Sequence, residues 1–419
     1  MLKTVKKLEQ GLRGSITIPS DKSISHRAVM FSSIAKGECI IRNFSSGADC
    51  HSTLNLFKQL GVDIQFLDIK STGELKKSQT PLDNGNSGTT MRLVSGILAG
   101  QKFDSVMIGD TSLSKRPMKR IIEPLTLMGA DITSVDGHAP LIKGRPLQGI
   151  TYHSKLASAQ VKSCLLLAGL NADGETTFIE PYTSRDHTER LLEYLDADIL
   201  INGTNVTVRP SQLTAKDIDV VGDISSAAFF IVAGLIVKGS DFVIKNVGVN
   251  HTRSGIIDIV SRMGGCVEIM NEHIIAGEPC ADIRVQYTGT LNGCVIEGED
   301  IPRLIDELPV IAVLASQAEG ETIVRNAGDL RNKESDRIKC LVNELTKIGV
   351  NIEETQDGFI VRGKKELSGG AELESYHDHR LAMSFYIAGL VCKNEIAING
   401  FEWTNISFPE FEELMDNLI

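Results

Sequence analysis

The hydrophobic positions of the chain follow one pattern that recurs along its length. An apolar run opened by Gly, Asp or Asn is followed by a polar turn and then by a segment with apolar residues spaced three and four apart. The run predicts a short strand, and the segment predicts an amphipathic helix. The copies begin at Gly37, Asp104, Gly174, Gly239, Gly320 and Asn394. A period of about 70 residues indicates one supersecondary unit used six times.

A second kind of helix is predicted before each of these strands. The segments are apolar on nearly every side, as in VKSCLLLAGL and AAFFIVAGLIV, so each should be buried. They start at or near Ser or Asp, the residues that cap helix N-termini. We predict these helices at residues 25–36, 87–100, 158–172, 225–238, 306–319 and 378–393. Each repeat then has one internal helix, one outer helix and several strands.

The six repeats divide naturally into two α/β domains of three repeats each. A chain of 419 residues is too long for one ordinary core, at about 150 residues per domain. The third repeat ends near Val221–Asp223, where the chain should cross from one domain to the other. The segment Gly14–Ser20 is the expected second crossing, which places residues 1–14 with the C-terminal domain. We therefore predict one domain over residues 15–223 and a second formed by residues 1–14 and 224–419.

Composition and charge exclude several classes of function. Lys and Arg number 43 against 54 Asp and Glu, a net charge of −11, which argues against a nucleic-acid partner. The eight cysteines contain no C-x-x-C pair and are typical of reduced thiols in a cytoplasmic protein. The N-terminus has no apolar signal segment, and the longest apolar run, residues 227–237, is too short to cross a bilayer. We expect a cytoplasmic protein without a membrane role.

Basic residues lie beside Gly, Ser or Asp turns at equivalent places in successive repeats. They are Lys22, Arg27, Arg116, Lys333, Arg337 and Arg380. A helix N-terminus offers free N–H donors and partial positive charge, and Arg adds bidentate donors for phosphate or carboxylate. The pattern predicts that the protein binds small anions.

Other motifs carry less weight. DNGNSGTT resembles a phosphate-binding loop but lacks the G-K-[ST] of a P-loop, and no dinucleotide or other cofactor motif is present. His377 and His379 could be a metal pair, although without a third ligand Asp378 is more simply a helix cap. Arg92 fits a structural role as well as a functional one.

Six segments together resemble the signatures of the 5-enolpyruvylshikimate-3-phosphate (EPSP) synthase family, in the order in which that family has them. They are PSDKSISHR, GNSGTTMRL, SLSKRPM, SAQVKS, RNKESDR and YHDHRLAM, and they cover essentially the full length. The resemblance implies an α/β protein of two domains, each of three repeated βαβαββ-type units with internal helices, the inside-out α/β barrel of enolpyruvyl transferases.

The resemblance also implies a reaction. Shikimate 3-phosphate and phosphoenolpyruvate would give 5-enolpyruvylshikimate 3-phosphate and phosphate, a step of aromatic amino-acid biosynthesis that the herbicide glyphosate inhibits in this family. Both partners are small molecules, no metal or organic cofactor is implied, and we expect a monomer.

Site residues follow from the resemblance motif by motif. Those implied to bind shikimate 3-phosphate are Lys22, Ser23, Arg27, Ser158, Ala159, Gln160, Ser184, Asp306 and Lys333. Those implied to bind phosphoenolpyruvate are Lys22, Gly88, Arg116, Gln160, Arg337 and Arg380. Asp306 would deprotonate the 5-hydroxyl, and Glu334 and Lys22 are candidates for proton transfer at C3.

Two positions depart from the family pattern. Thr404–Pro409 contains no Lys where many members have one that contacts phosphoenolpyruvate, and Asp329 stands where an Asn is common. Two other functions stay open. One is enolpyruvyl transfer to UDP-N-acetylglucosamine: that family usually has a Cys or an Asp in the loop corresponding to Asp110–Arg116, which here has no Cys but begins with Asp. The other is a non-catalytic two-lobed anion-binding protein.

Overall fold

The computed structural model describes residues 1–134, 140–363 and 366–419, and the chain forms two compact units. Unit 1 contains residues 1–19, 222–273 and 279–419. Unit 2 contains residues 20–221 and 274–278. The chain therefore leaves unit 1 after Pro19 and returns to it after Val221.

Each unit contains three helices that are buried on nearly all sides, as their uninterrupted apolar sequences predict. In unit 2 they are α1 (Lys22–Ile34), α3 (Gly88–Ala99) and α5 (Ala159–Gly169), and in unit 1 they are α7 (Ile224–Ile236), α10 (Leu308–Ser316) and α12 (His379–Gly389). The prediction of one internal helix per repeat is confirmed.

The remaining α-helices pack one face only against their unit. They are α2 (Ala48–Gln59), α4 (Lys119–Leu127), α6 (His187–Tyr194), α8 (Gly255–Arg262), α9 (Asp300–Leu304), α11 (Arg337–Lys347) and α13 (Phe411–Asp416). In α8, for example, Ile256, Ile259 and Val260 are buried while Arg262 is exposed, which is the spacing of an amphipathic helix.

Short strands complete the repeats. In chain order they are β1 (Leu2–Val5), β2 (Arg13–Thr17), β3 (Lys36–Arg42), β4 (Asp63–Gln65), β5 (Asp68–Thr72), β6 (Leu82–Asp83), β7 (Ser105–Ile108), β8 (Asp131–Ser134), β9 (Pro140–Lys143), β10 (Leu147–Gln148), β11 (Thr151–His153), β12 (Ala172–Asp173), β13 (Thr176–Ile179), β14 (Ile199–Asn202), β15 (Asn205–Val208), β16 (Ile218–Asp219), β17 (Asp241–Gly248), β18 (Cys266–Ile275), β19 (Glu278–Gln286), β20 (Val295–Ile296), β21 (Glu321–Val324), β22 (Asn351–Thr355), β23 (Gly358–Arg362), β24 (Glu372–Glu374) and β25 (Ile396–Asn399).

The sheets of unit 2 show how three repeats close into a ring. Their strand orders are β16-β3-β5-β4, β6-β7-β9-β8 and β11-β13-β15-β14. In each sheet the first strand is parallel to the second and comes from a neighbouring repeat. Strand β16 follows the third repeat and pairs back with the first, with Ile218 opposite Ile41, so the ring is complete.

Unit 1 closes in the same way, but with borrowed strands. Its sheets have the orders β18-β19-β17-β2, β20-β21-β23-β22 and β1-β25-β24. The N-terminal strand β2 supplies the parallel partner of β17, and β1 pairs antiparallel with β25. The sixth copy, which is the weakest in the sequence, therefore lacks its own hairpin, and the N-terminus fills that place.

Two details of the predicted helix starts are wrong. The first helix begins at Lys22, three residues before the predicted Ser25, because the Asp21 side chain accepts the N–H of Ile24 and caps it there. The fifth begins at Leu308 rather than Asp306, since the short helix α9 precedes it. The N-caps of α5 and α10 have no side-chain cap hydrogen bond, so the expected capping holds only for α1, α3, α7 and α12.

One glycine fixes the spacing of two buried helices in unit 2. A Cβ on Gly96 of α3 would lie 2.1 Å from the carbonyl oxygen of Cys164 in α5, so only glycine allows this approach. The contact brings the N-terminal ends of α3 and α5 side by side. Of the helices in the described ranges, none has the length and apolar character needed to cross a membrane.

Candidate active site

Asp306 of unit 1 is surrounded by cationic side chains. Its Oδ1 atom accepts hydrogen bonds from Lys333 Nζ at 3.1 Å and from Arg337 Nη1 at 3.4 Å. Its backbone carbonyl accepts one from Arg380 Nη1 at 3.2 Å. The residue lies in the turn between α9 and α10 and is mostly buried, with a side chain 12% exposed. A carboxylate in such a position can accept a proton from a polar group bound beside it.

Arg337, at the start of α11, is held entirely inside unit 1. Its Nε donates to Asp378 Oδ2 at 2.7 Å and its Nη2 to Glu334 Oε2 at 2.6 Å, and only 1% of the side chain is exposed. Burial alone would lower the pKa of Arg337, but the carboxylates of Asp378, Glu334 and Asp306 outweigh it and raise the pKa above its ordinary value. The arginine is therefore a fixed cation that joins these acidic groups.

Asp378 has two structural tasks at the start of α12. Its Oδ1 caps the helix by accepting the N–H of Arg380 at 3.0 Å, while its Oδ2 holds Arg337. The two residues before it, Tyr376 and His377, have φ angles of 54° and 60°, a left-handed conformation that is costly outside glycine. Asp378 is therefore the helix cap that the sequence predicts at this place. Within the described ranges no group of three or more His, Cys, Asp or Glu could hold a metal ion.

The side chain of Arg380 points along the start of α10. Besides the Asp306 carbonyl, its Nη1 atom lies 3.9 Å from Oε1 of Glu307, which is fully buried. Glu307 in turn accepts a short hydrogen bond from the Ser225 hydroxyl at the start of α7. The starts of α7, α10 and α12 are therefore linked through side chains, as the repeat pattern predicts for three packed helices.

In unit 2, Lys22 stands at the start of α1 and pairs with Asp49 at the start of α2. The Nζ–Oδ2 distance is 3.1 Å, and the two side chains are 30% and 13% exposed. Ser23 is next to it, half-buried, and its backbone carbonyl accepts a hydrogen bond from Arg27 Nη1 at 3.0 Å. Lys22 therefore keeps an accessible ammonium at a position fixed by a carboxylate.

Gly88 is the first residue of α3, with arginines on either side. A Cβ at this position would lie 3.0 Å from Nη1 of Arg92 and 3.5 Å from Nη1 of Arg116. Arg116, which precedes α4, donates from Nη2 to Asn86 Oδ1 at 3.0 Å. A helix N-terminus between two guanidinium groups is suited to a phosphate or carboxylate.

Arg92, for which the sequence allows a structural or a functional role, belongs to this cluster. It is 4% exposed, donates from Nη1 to Gln160 Oε1 at 2.7 Å, and has a buried Nε without a hydrogen-bond partner among the described residues. Burial, followed by repulsion from Arg120 and Arg116, lowers the pKa of Arg92 to about 9. A shift of this kind is typical of a buried cation, and in the described part of the chain no carboxylate opposes it.

Arg27 is buried beneath the start of α1 and joins three helices. Its Nε donates to Thr188 Oγ1 of α6 at 2.7 Å, and its Nη2 donates to Ser163 Oγ of α5 at 2.9 Å. Burial lowers the pKa of Arg27 to about 10, although Glu189 opposes the shift. The Ser163 hydroxyl in turn donates to the carbonyl of Ala159 at 2.6 Å, so Arg27 is connected to the start of α5.

A buried ion triad supports the segment that carries Ser184. Lys162 of α5 has no exposed surface, and its Nζ lies 2.7 Å from Oε1 of both Glu180 and Glu189. It also donates to the Ser184 carbonyl at 3.2 Å, while Glu180 accepts the Ser184 N–H at 2.8 Å. Burial alone would lower the pKa of Lys162, but Glu189 and Glu180 raise it. The Ser184 hydroxyl itself is buried, and within the described ranges it has no hydrogen-bond partner.

The structure joins the predicted residues of unit 1 into one cluster and those of unit 2 into several smaller groups. Asp306, Lys333, Glu334, Arg337 and Arg380 are joined in unit 1. Ser23, Arg27 and Ala159 are joined through Ser163, and Gly88, Arg116 and Gln160 adjoin Arg92 in unit 2. Ser158 is the half-buried N-cap of α5, and Lys22 and Ser184 are held by Asp49 and Lys162.

Sequence reasoning missed the partners that hold these residues. Asp49, Asp378 and Lys162 were not assigned to the site, because a carboxylate or lysine distant in sequence gives no local sign of its ion pair. A signal was available for Arg92, since a charged residue inside an otherwise apolar helix must find a polar partner.

The segment without the expected Lys is a packed part of unit 1. Phe408 is buried and lies against Phe411 of α13, with ring centroids 5.6 Å apart. Phe411 also contacts Phe230 of α7 at 5.7 Å. The half-buried Ile406 and Ser407 precede this aromatic group and offer no cation.

The fold is that of the enolpyruvyl transferases. The structure of the enolpyruvyl transferase NikO from Streptomyces tendae matches with a TM-score of 0.81 and 17% identity, covering 100% of this chain and 97% of that chain. Identity at that level supports the fold alone. The predicted α/β architecture of three-repeat domains with internal helices is confirmed.

Sequence comparison then identifies the family. The sequence profile of the EPSP synthase (3-phosphoshikimate 1-carboxyvinyltransferase) family matches residues 6–415 of this chain. The 3-phosphoshikimate 1-carboxyvinyltransferase of Geotalea uraniireducens is 50% identical over 419 residues, which is 98% of this chain and 97% of that protein. The EPSP synthase structure from Acinetobacter baumannii matches with a TM-score of 0.90 and 43% identity, covering 100% and 98% of the two chains. This chain belongs to the EPSP synthase family of enzymes, and the two alternative functions are not favoured.

Proposed function

We propose that this protein transfers the enolpyruvyl group of phosphoenolpyruvate to the 5-hydroxyl of shikimate 3-phosphate. The hydroxyl oxygen bonds to C2 of phosphoenolpyruvate while C3 takes up a proton. Loss of a proton from the new methyl group and departure of phosphate then restore the double bond. The products are 5-enolpyruvylshikimate 3-phosphate and inorganic phosphate.

The observation that carries this proposal is the setting of Asp306. Its carboxylate is held by Lys333 and Arg337, and Arg380 binds its backbone carbonyl. We assign Asp306 as the base that takes the 5-hydroxyl proton, with Lys333 beside the same hydroxyl. Arg337 and Arg380 supply fixed positive charge for the carboxylate of phosphoenolpyruvate, which in a partly buried site is worth more than in water.

Unit 2 supplies the groups proposed to bind phosphate. Gly88, Arg116 and Gln160 are assigned to phosphoenolpyruvate, and Arg92 is added to them because it bonds Gln160 and adjoins Gly88. Lys22 is assigned to both substrates. Its accessible ammonium and Glu334 of unit 1 are the candidates for proton transfer at C3.

The remaining assignments concern shikimate 3-phosphate. Ser23, Ser158, Ala159 and Ser184 are proposed to contact its phosphate and hydroxyl groups, and Ser184 has a buried hydroxyl available as donor or acceptor. Arg27 is proposed to contact the same substrate. Its three nitrogens already donate to protein oxygens, so it holds Ser23 and α5 in place as well.

A phosphate-release assay tests the proposed reaction. The protein is mixed with phosphoenolpyruvate and either shikimate 3-phosphate or UDP-N-acetylglucosamine. Release with shikimate 3-phosphate alone is the expected result. Release with the sugar nucleotide would mean that the acceptor is wrong, and tight binding of both anions without release would favour a non-catalytic role.

Asp306→Asn tests the assigned base, with the exposed Asp329→Asn as its matched control. We expect the first to lose turnover and retain binding of both substrates, and the second to behave as wild type. Equal turnover in the two variants would remove Asp306 from the role of base.

A further inference from the structure

A chain of buried hydrogen bonds connects the three helix starts of the first two repeats in unit 2. His26 Nδ1 of α1 lies 2.7 Å from Thr53 Oγ1 of α2, and Thr53 Oγ1 lies 2.6 Å from Thr90 Oγ1 of α3. The Thr90 hydroxyl donates to Ser87 Oγ at 2.7 Å. All four residues are at most 1% exposed, so the chain is shielded from bulk solvent.

The number of available protons fixes the direction of every bond. A threonine hydroxyl has one proton, and that of Thr90 goes to Ser87. The short contact between the two threonines is therefore donated by Thr53. The Thr53 oxygen also lies 3.4 Å from the Asp49 carbonyl, a much longer contact than the 2.6 Å to Thr90. With the Thr53 proton used, His26 must donate from Nδ1.

A donating Nδ1 fits both a neutral ring with its proton on Nδ1 and an imidazolium, so Nε2 decides between them. Nε2 is buried and has no hydrogen-bond partner among the described residues, which suits an unprotonated nitrogen better than an N–H, so we assign the neutral form. Burial also lowers the pKa of His26 to about 3. Asp49 opposes this shift, and Lys22 and Arg27 reinforce it.

The chain lies one helical turn beneath two proposed substrate contacts. His26 is four residues after Lys22 on α1, and Thr53 is four residues after Asp49 on α2, so the His26–Thr53 bond repeats the Lys22–Asp49 contact one turn deeper. At its other end, Ser87 caps α3 by accepting the N–H of Thr90 at 3.1 Å, immediately before Gly88.

We propose that His26 is a positioning residue, whose neutral Nδ1–H form holds Lys22 and Gly88 in register through Thr53, Thr90 and Ser87. This inference rests on the proposed function, because Lys22 and Gly88 are assigned there to phosphoenolpyruvate. His26 touches no substrate in this role. Its hydrogen bonds connect α1, α2 and α3 in one chain of donors.

Nitrogen-15 NMR of histidine-labelled protein tests the protonation state directly. Comparison with His26→Asn identifies the His26 signals. We expect Nδ1 protonated, Nε2 unprotonated, and no titration between pH 5.5 and 9. A proton on Nε2, or a titration near the ordinary histidine pKa, would overturn the proposal, and neither outcome depends on which reaction the protein catalyses.

Substitutions test the positioning role. His26→Leu and Thr53→Val each break the chain, whereas the amide of His26→Asn retains a donor at the δ position. We expect the first two to raise KM for phosphoenolpyruvate about tenfold, because a buried polar group loses its partner, and the Asn variant to recover most of the loss. Thr176→Val is the matched control, since the Thr176 hydroxyl is buried in unit 2 and has no hydrogen-bond partner in the part of the chain that the structure describes.

A purely structural role predicts a different result. It would lower the melting temperature in the Leu and Val variants and leave both KM values equal to those of Thr176→Val, and that outcome would refute the inference. Wild-type phosphate release in the same assay separates a failure of the proposed reaction from a failure of the positioning role. If His26→Leu does not fold, Thr53→Val and the NMR measurement still decide the question.

Discussion

One cluster in each unit balances its cations in a different way. In unit 1, Lys333 and Arg337 each contact carboxylates, those of Asp306, Glu334 and Asp378. In unit 2, Lys22 and Lys162 also contact carboxylates, but the buried Arg92 donates to the neutral amide of Gln160. The comparison is therefore between the cluster around Arg337 and the site of Arg92.

The difference separates two tasks. A carboxylate held among cations can exchange a proton at a fixed place, which suits the cluster around Asp306. A buried arginine without a counter-charge is stabilised when an anion arrives, which suits the cluster around Gly88 and Arg92. The comparison can be tested by removing charge from each unit in turn.

The largest effect is expected for Asp306→Asn. Removing the base should lower kcat by about 10²- to 10⁴-fold, while the KM values change little. Steady-state kinetics with both substrates varied gives the two constants separately. A rise in KM at constant kcat would show that the unit 1 cluster serves binding, and the distinction between the units would fail.

Lys162→Met should have the second-largest effect, on stability. It leaves Glu180 and Glu189 buried without their cation, at a cost of about 3–5 kcal/mol in the free energy of unfolding. Denaturant unfolding measures this cost. Changing both glutamates to Gln in the same variant should restore most of it, and no restoration would mean that the loss comes from packing rather than charge.

Arg92→Gln should raise KM for phosphoenolpyruvate about tenfold, since one charge-assisted contact is lost. The exposed Arg120→Gln, which removes a charge near Arg92, is the control and should have a much smaller effect. The stabilisation of the protein by inorganic phosphate in a melting experiment should fall in parallel. Equal effects of both variants would indicate general electrostatics rather than a built anion site.

The last expected effect concerns pH. The pKa of His26 is lowered to about 3 in the folded protein, against about 6.5 when unfolded, so its contribution to stability is lost as pH falls below 6.5. At pH 5 the loss should reach about 2 kcal/mol, and His26→Asn should be free of it. Unfolding of both proteins at pH 5 and pH 7.5 gives the difference. Identical pH dependence would show that His26 is not buried in neutral form.

Much of the fold could be predicted from the sequence, because each repeat carries its own pattern. Uninterrupted apolar segments predict the six buried helices, and the predicted bounds agree with the structure within about four residues. The pairing of the strands that close each ring was harder to predict from the sequence. The pairing of β16 with β3, or of β1 with β25, joins residues far apart in the chain and leaves no local periodicity.

The candidate site divides in the same way. Residues in recognisable motifs, such as Lys22 in PSDKSISHR and Arg337 in RNKESDR, could be named in advance. Their partners could not, because the contact of Arg92 with Gln160 depends on how closely α3 approaches α5 at Gly96.

The sequence by itself determined the repeat, the helices that must be buried and the residue types available at each helix start, since these depend on local spacing and on the cost of exposing apolar surface. Only the tertiary structure decided which of those charges are balanced. Whether a buried cation meets a carboxylate, an amide or an empty place depends on distances between segments remote in the chain, and in a medium of low polarity those distances set the energy of the charge.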